Sequence, residues 1–194
     1  MNIAFSRMTI RGSVLDVGGG RNPDYFEYFT TESTSIEAID ASLTGIDFET
    51  DTLPYPSGST TTVLLVNVLE HVYHYRFLLT EIARVLANDG ILVGFVPFWV
   101  GYHPDPHDYF RYTAEALQRI LAESGYVDIQ IEPLAVGPIL ANFNTIVLSL
   151  PKPIRPVAYL WYACANRLFV GLRPKSGERN PLGYVFTARR TAHA

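Results

Sequence analysis

Ser13-Val14-Leu15-Asp16-Val17-Gly18-Gly19-Gly20-Arg21-Asn22-Pro23 decides the fold. Val14 to Val17 has the length and β-branched content of a buried strand. Three successive glycines then let the backbone turn sharply and leave a ligand free to approach it. Asn22 before Pro23 reads as an N-cap and first helical residue, so the turn empties into a helix carrying Tyr25, Phe26 and Phe29. Strand, glycine turn and helix in this order bind nucleotide-like ligands at the carboxyl end of the strand.

Working outward, Ile36 to Asp40 is a second strand. Its Asp40 falls roughly twenty residues past the glycine turn, where an acid reaches the vicinal hydroxyls of a ribose and can accept from both. Val63 to Val66 is a continuous apolar run of the kind found in a parallel strand covered on both faces. Leu78, Ile82, Val85 and Leu86 have the spacing of a helix burying one face, and Asn88-Asp89-Gly90 should stop it. Ile91 to Val96 is the next buried strand, and Thr113 can cap a further helix with Leu117, Ile120 and Leu121 facing inward. Val127 to Ile131 alternates like a strand near a sheet edge, and Leu182 to Ala188 supplies a final strand. Strands separated by helices imply an α/β fold with a doubly wound, mostly parallel sheet.

At 194 residues the chain is expected to be one domain, residues 1–194, long enough to bury a sheet between two layers. A net charge of -4 argues against a general nucleic-acid binder, whose footprint would be basic. The single cysteine, Cys164, excludes an internal disulfide and fits a reducing compartment. Met1 to Arg7 lacks the apolar core of a signal peptide and no run reaches the length of a membrane span, so a cytoplasmic location is expected.

From 137 to 180 the texture changes. Large apolar residues crowd Ile139 to Phe143 and Val157 to Tyr162, prolines divide the stretch, and Lys152, Arg155, Arg167, Arg173, Lys175 and Arg179 face only Glu178. This apolar, basic insertion before the last strand is open to three readings: a lid packed on its own domain, an interfacial segment touching an anionic membrane surface through Trp161, Tyr159 and Tyr162, or a dimer face.

Asp16-Val17-Gly18-Gly19-Gly20, Asp40 at the end of the next strand, and Asn67-Val68-Leu69-Glu70-His71-Val72 after a later one together resemble the class I S-adenosylmethionine-dependent methyltransferases, over about Ile10 to Leu134 and again near Tyr184 to Ala188. The resemblance implies a seven-stranded, Rossmann-like methyltransferase fold with S-adenosyl-L-methionine as cofactor. It implies that Gly18, Gly19 and Gly20 touch the methionine moiety, that Asp16 holds its ammonium group, that Asp40 takes the ribose, and that Asn67 lies beside the cofactor. Ile46 to Pro56 resembles the family's third-strand segment, where an acid before Leu-Pro contacts the adenine amino group; Glu49 is favoured, with Asp51 and Asp47 competing. Two departures stand out: the third alternating glycine falls on Asn22, and the nicotinamide fingerprint fails at Pro23.

The donor's sulfonium is already an activated methyl donor, so the protein must hold donor and acceptor in line and, for a hydroxyl acceptor, remove a proton. Gly101 to Tyr112 follows the fifth strand, where an acceptor would sit, and resembles a loop of enzymes linked to cell-surface sugars and lipids. His107 or His103 is the candidate base, since an imidazole can take a proton near neutrality; Asp108 would orient it, and Tyr102, Tyr109 and Arg111 would line the acceptor pocket. The alternative is that Asp108 and Arg111 merely pin the loop. His103, Asp105, His107 and Asp108 do not match a specific metal spacing, so no metal is expected; His71 and His74 read as helix-entry residues near the cofactor, and Glu70 as their support. The expected function is methyl transfer to a small-molecule acceptor, an O-methylation of a glycan or lipid-linked substrate. The alternatives are C- or N-methylation of an aromatic or isoprenoid ring, and a non-catalytic donor-binding scaffold.

Overall fold

The computed structural model describes residues 2–20, 24–135 and 137–191. Along the chain lie α1 (Asn2–Phe5), β1 (Thr9–Val17), β2 (Thr30–Ile39), α2 (Ala41–Thr44), β3 (Thr60–Val66), α3 (Tyr75–Val85), β4 (Leu86–Pro97), α4 (Ala114–Glu123), β5 (Tyr126–Ala135), α5 (Pro138–Ile146), α6 (Arg155–Leu172), α7 (Lys175–Glu178) and β6 (Pro181–Arg190). The strands form one sheet in the order β2-β1-β3-β4-β6-β5. β1 pairs in parallel with β2 and β3, and β3 with β4; β6 runs antiparallel between β4 and β5. The fold is therefore the mostly parallel α/β sheet expected, with Val127 to Ile131 in an edge strand.

β3 shows why an unbroken apolar run can be a strand. Its side chains alternate in direction, so Val63 and Leu65 join the layer formed by Leu79 and Ile82 of α3 and Leu117 and Leu121 of α4. Leu64 and Val66 join Phe5, Tyr25 and Phe29 on the other face. Each fully buried large side chain contributes about 1.5–3 kcal/mol, and the two layers together hold the central strands from both sides.

Among the described residues the sheet has six strands where seven were expected. Ile46 to Pro56 runs as turns, because its acids bond locally instead of joining a ladder: the Asp47 carboxylate accepts from the Glu49 N–H at 2.8 Å, and the Asp51 carboxylate from the Asp47 N–H at 3.0 Å. The glycine turn leads into a short 3-10 turn, Asp24–Tyr28, rather than a long helix, and Phe29 lies beyond it. The N-cap assigned to Asn22 and Pro23 lies outside the described residues. α3 stops at Val85, before the Asn88-Asp89-Gly90 signal, since Leu86 is already extended and pairs with Thr60; Asp89, at φ 61°, sits in an irregularity of β4 before Ile91 pairs with Thr62. Thr113 does cap α4, accepting from the Ala116 N–H at 3.2 Å.

Between β5 and β6, α6 packs on α5. The Phe143 ring lies 5.9 Å from Tyr159 and 5.0 Å from Tyr162, and buried Asn166 accepts from the Leu140 N–H at 3.1 Å. The outer face of α6 stays in solvent, with Trp161 73 % exposed and Leu168 69 % exposed, while Tyr162, Phe169 and Val170 are half-buried. No helix among the described residues is long and apolar enough to cross a membrane.

Candidate active site

Parallel strands bring their carboxyl ends to one edge, and the chain leaves β1 toward β2 on one side and β3 on the other, which opens a crevice between them. A cleft of about 520 Å³ occupies that edge. Gly18 follows β1 into it at φ 84°, and a Cβ there would overlap the Val68 side chain, so only glycine fits. Asp40 follows β2, lines the cleft, and caps α2, its carboxylate accepting from the Ser42 N–H at 2.9 Å. Asn67 follows β3 and also lines the cleft, at φ 54°; a non-glycine residue held in this region is a form of strain found at functional sites.

Glu49 reaches the same cleft, while Asp51 does not line it. The Glu49 carboxylate accepts from the Tyr73 N–H at 3.0 Å and stands 3.9 Å from His74 Nε2. Its turn segment is latched to α3. Leu53 N–H donates to Glu81 at 2.9 Å, and Arg84 donates to the Leu53 and Tyr55 carbonyls, each at 2.8 Å. The Arg84 hydrogen bond holds the Glu81 carboxyl below the usual range.

Asp16, Gly19 and Gly20 do not line the cleft. Asp16 is fully buried at the end of β1, and the Tyr25 hydroxyl faces both its oxygens, at 2.7 and 2.6 Å. Burial pushes its pKa up to about 7, opposed in part by the Tyr25 hydrogen bond and helped by the charge of Asp40. A Cβ on Gly19 would overlap this carboxylate, so the glycine turn lies directly over the acid. Tyr25 as a partner of Asp16 was not legible beforehand.

Across the cleft stand His107 and Tyr109, with ring centres 5.3 Å apart and Tyr109 a further 5.4 Å from Tyr73. The other residues of the loop do different work. Arg111 forks onto Asp108, at 2.5 and 2.7 Å, and also donates to the Phe110 and Gly101 carbonyls. That pairing holds the Asp108 carboxyl well below the usual range. Asp108 additionally accepts from the His103 backbone N–H at 2.9 Å, so it braces His103 and not His107. Arg111 therefore pins the loop instead of lining the cleft, and Tyr102 is 79 % exposed outside it.

Glu70 is the residue whose position sequence reasoning undervalued. Its side chain is fully buried, neither oxygen has a hydrogen-bond partner among the described residues, and burial raises its pKa to about 7. An acid set between Leu69 and His71 directly after a buried strand was the available signal.

With the geometry in view, the profile of the "Methyltransferase domain" family matches residues 6–131, more than half of the chain. The chain belongs to the methyltransferase-domain family. Among its relatives, the "Probable S-adenosylmethionine-dependent methyltransferase Rv3030" of Mycobacterium tuberculosis (strain ATCC 25618 / H37Rv) is 29% identical over 98 residues, covering 47% of this chain and 36% of the relative. A protein of the same description, MT3114 of strain CDC 1551 / Oshkosh, matches equally, so the chain spans about a third of the length of these curated relatives. Solved structures share the fold. A protein solved in complex with the Haloferax volcanii Trm112 methyltransferase activator has a TM-score of 0.62 at 15% identity, covering 97% of this chain and 88% of that one. The [4+2]-cyclase SpnF has 0.59 at 16%, covering 99% and 81%. A methyltransferase-domain fold thus also carries a cyclase, and the reaction must be argued from the site.

Proposed function

We propose that this chain transfers the methyl group of S-adenosylmethionine to a hydroxyl of a small acceptor, a glycan or a lipid-linked molecule. The observation that carries the reading is the single cleft shared by Gly18, Asp40, Glu49 and Asn67 on the strand ends and by His107 and Tyr109 on the loop after β4. Asp40 takes the ribose hydroxyls, Glu49 the adenine amino group, and the backbone at Gly18 admits the methionine moiety. The acceptor oxygen attacks the methyl carbon in line as the bond to sulfur breaks; S-adenosylhomocysteine leaves and the acceptor proton passes to His107.

Calorimetric titration with S-adenosylmethionine and S-adenosylhomocysteine tests the donor half. Micromolar binding is expected, with Asp40→Ala weakening it about 100-fold, as for a lost charged hydrogen-bonding partner. No heat from either ligand would turn the reading toward a scaffold. His107→Gln should leave donor binding intact and cut transfer to glycan or lipid-linked acceptors about 100-fold or more; activity within a few-fold of wild type would remove His107 from the mechanism.

The exposed face of α6, with Leu160, Trp161 and Leu168, in a helix whose charged residues, Arg155 and Arg167, are both basic, supports contact of residues 137–180 with an anionic membrane surface, which would suit a lipid-linked acceptor. The wild-type protein should float with vesicles containing anionic lipid, and the double substitution Leu160→Glu with Trp161→Glu should leave it at the bottom of the gradient. A wild-type protein that never floats dismisses the contact.

A further inference from the structure

The Glu70 carboxylate faces two imidazoles. His71 Nε2 lies 3.7 Å and His103 Nε2 3.9 Å from Glu70 Oε1, and one atom from each residue falls within 4.8 Å of the others. Each imidazole is held from behind by a main-chain carbonyl: His71 Nδ1 donates to the His107 carbonyl at 2.5 Å, and His103 Nδ1 to the Gly101 carbonyl at 2.8 Å. Donation from Nδ1 leaves the Nε2 lone pair of His71 free, the tautomer of a metal-binding histidine with a backbone partner, and His103 takes the same tautomer when its Nδ1 donates to the nearer Gly101 carbonyl and does not accept from Arg111 at 3.3 Å. Arg111 is bonded to Asp108, to main-chain carbonyls and, at 3.3 Å, to His103 Nδ1, so its charge reaches Glu70 without a hydrogen bond to it.

Distance decides between a shared proton and a cation. A hydrogen bond between nitrogen and oxygen spans about 2.7–3.2 Å, shorter than either separation. Two ligand atoms each about 2.0–2.1 Å from one ion at tetrahedral or trigonal angles stand roughly 3.3–3.6 Å apart, a few tenths of an ångström inside the 3.7 and 3.9 Å found. We propose that Glu70, His71 and His103 bind one divalent transition-metal ion of the zinc class beside the cleft. Two imidazoles and one carboxylate suit Zn²⁺ or Co²⁺, whereas Mg²⁺ demands oxygen ligands in octahedral array.

The ligands are already restrained. Tyr109 and Phe110 N–H donate to the Glu70 carbonyl at 2.8 and 3.2 Å, tying the residue to the loop that carries His103. His71 lines the cleft, so the coordination position left open by three protein ligands is reached from it. There an acceptor hydroxyl would bind with a lowered pKa, a role that rests on the methyl-transfer reading, whereas occupancy by the ion does not.

The test uses the full chain, free of any histidine tag, stripped with chelator and titrated with Zn²⁺ by calorimetry and with Co²⁺ by visible absorption. One equivalent of each should bind, Mg²⁺ should not compete at millimolar concentration, and Glu70→Gln and His103→Gln should each weaken Zn²⁺ by at least about 100-fold. His103 lies on a loop and is partly exposed, so His103→Gln with an unchanged circular dichroism spectrum decides the matter even where Glu70→Gln fails to fold. Failure of the wild type to bind either ion, or full affinity in His103→Gln, overturns the proposal. Neither donor nor acceptor enters the measurement, so a failure of methyl transfer leaves its outcome untouched.

Discussion

Affinity for S-adenosylmethionine should rise about tenfold for each pH unit climbed between roughly 5 and 7 and level off above that, read by calorimetry across the range. The cause is Asp16. Its carboxyl is buried against Tyr25 and holds its proton up to about pH 7, and in the proposed donor site the ammonium group of S-adenosylmethionine would need the anion. Binding must therefore expel a proton at low pH and need not do so at high pH. The same shift acts on stability with the opposite sense. An acid whose folded-state pKa lies above its unfolded value keeps its proton longer when folded, so its stabilising contribution is full at low pH and is lost as pH rises from about 4 to about 7. At roughly 1.4 kcal/mol per unit over about three units, the ligand-free protein gives up about 4 kcal/mol. Asp16→Asn should remove this loss, unfold at higher denaturant concentration than wild type at pH 8, and bind the donor weakly and without pH dependence. Equal stability of the wild type at pH 5.5 and pH 8 would mean that Asp16 is ionised throughout, and the linkage would fail.

Gly19→Ala should weaken donor binding at least 100-fold, about 3 kcal/mol, because the new methyl group takes the volume of the Asp16 carboxylate. Either the turn lifts or the acid swings away, and each would disturb the proposed contact of the donor with Asp16 and the glycine turn. The neighbouring substitution separates crowding from backbone strain. Gly20 has φ 63°, yet a Cβ there meets nothing within 4 Å. Gly20→Ala should cost only about 1–2 kcal/mol of left-handed backbone strain and keep micromolar binding. Similar losses in the two variants would show that flexibility of the turn, and not contact with Asp16, is what the glycines provide.

The strands were legible in the sequence wherever a local pattern was enough. The Val14 to Val17 and Val63 to Val66 runs announce buried strands by themselves, Gly18 follows directly after the first, and Asp40 is placed by its distance of about twenty residues past the glycine turn. Legibility failed where distant residues decide. Ile46 to Pro56 resembles the family's third-strand segment, but Asp47 and Asp51 take its backbone N–H groups, and α3 holds the segment through Glu81 and Arg84. The Asn88-Asp89-Gly90 signal is a turn signal, and it serves as a strand irregularity because Leu86 already has a partner in Thr60. In the site, His103, His107, Asp108 and Arg111 were recognisable as a chemical set, but their sorting was not. Which histidine Asp108 braces depends on how the loop folds back, and Glu70 joins His103 only because Tyr109 and Phe110 bond to its carbonyl.

The place of β6 has a consequence for how the molecule is made. It lies between β4 and β5, although β4 ends at Pro97 and β6 begins only at Pro181. During synthesis β4 and β5 leave the ribosome with the strand that joins them still unmade, and at roughly 5–20 residues per second they wait for several seconds. Throughout that interval the Ile91 to Pro97 edge of β4 offers unpaired N–H and C=O groups beside apolar side chains, a template for the wrong partner. Completion of the sheet is a late event in the life of the nascent chain. Any release before β6 has emerged leaves a sticky half-sheet for chaperones to hold.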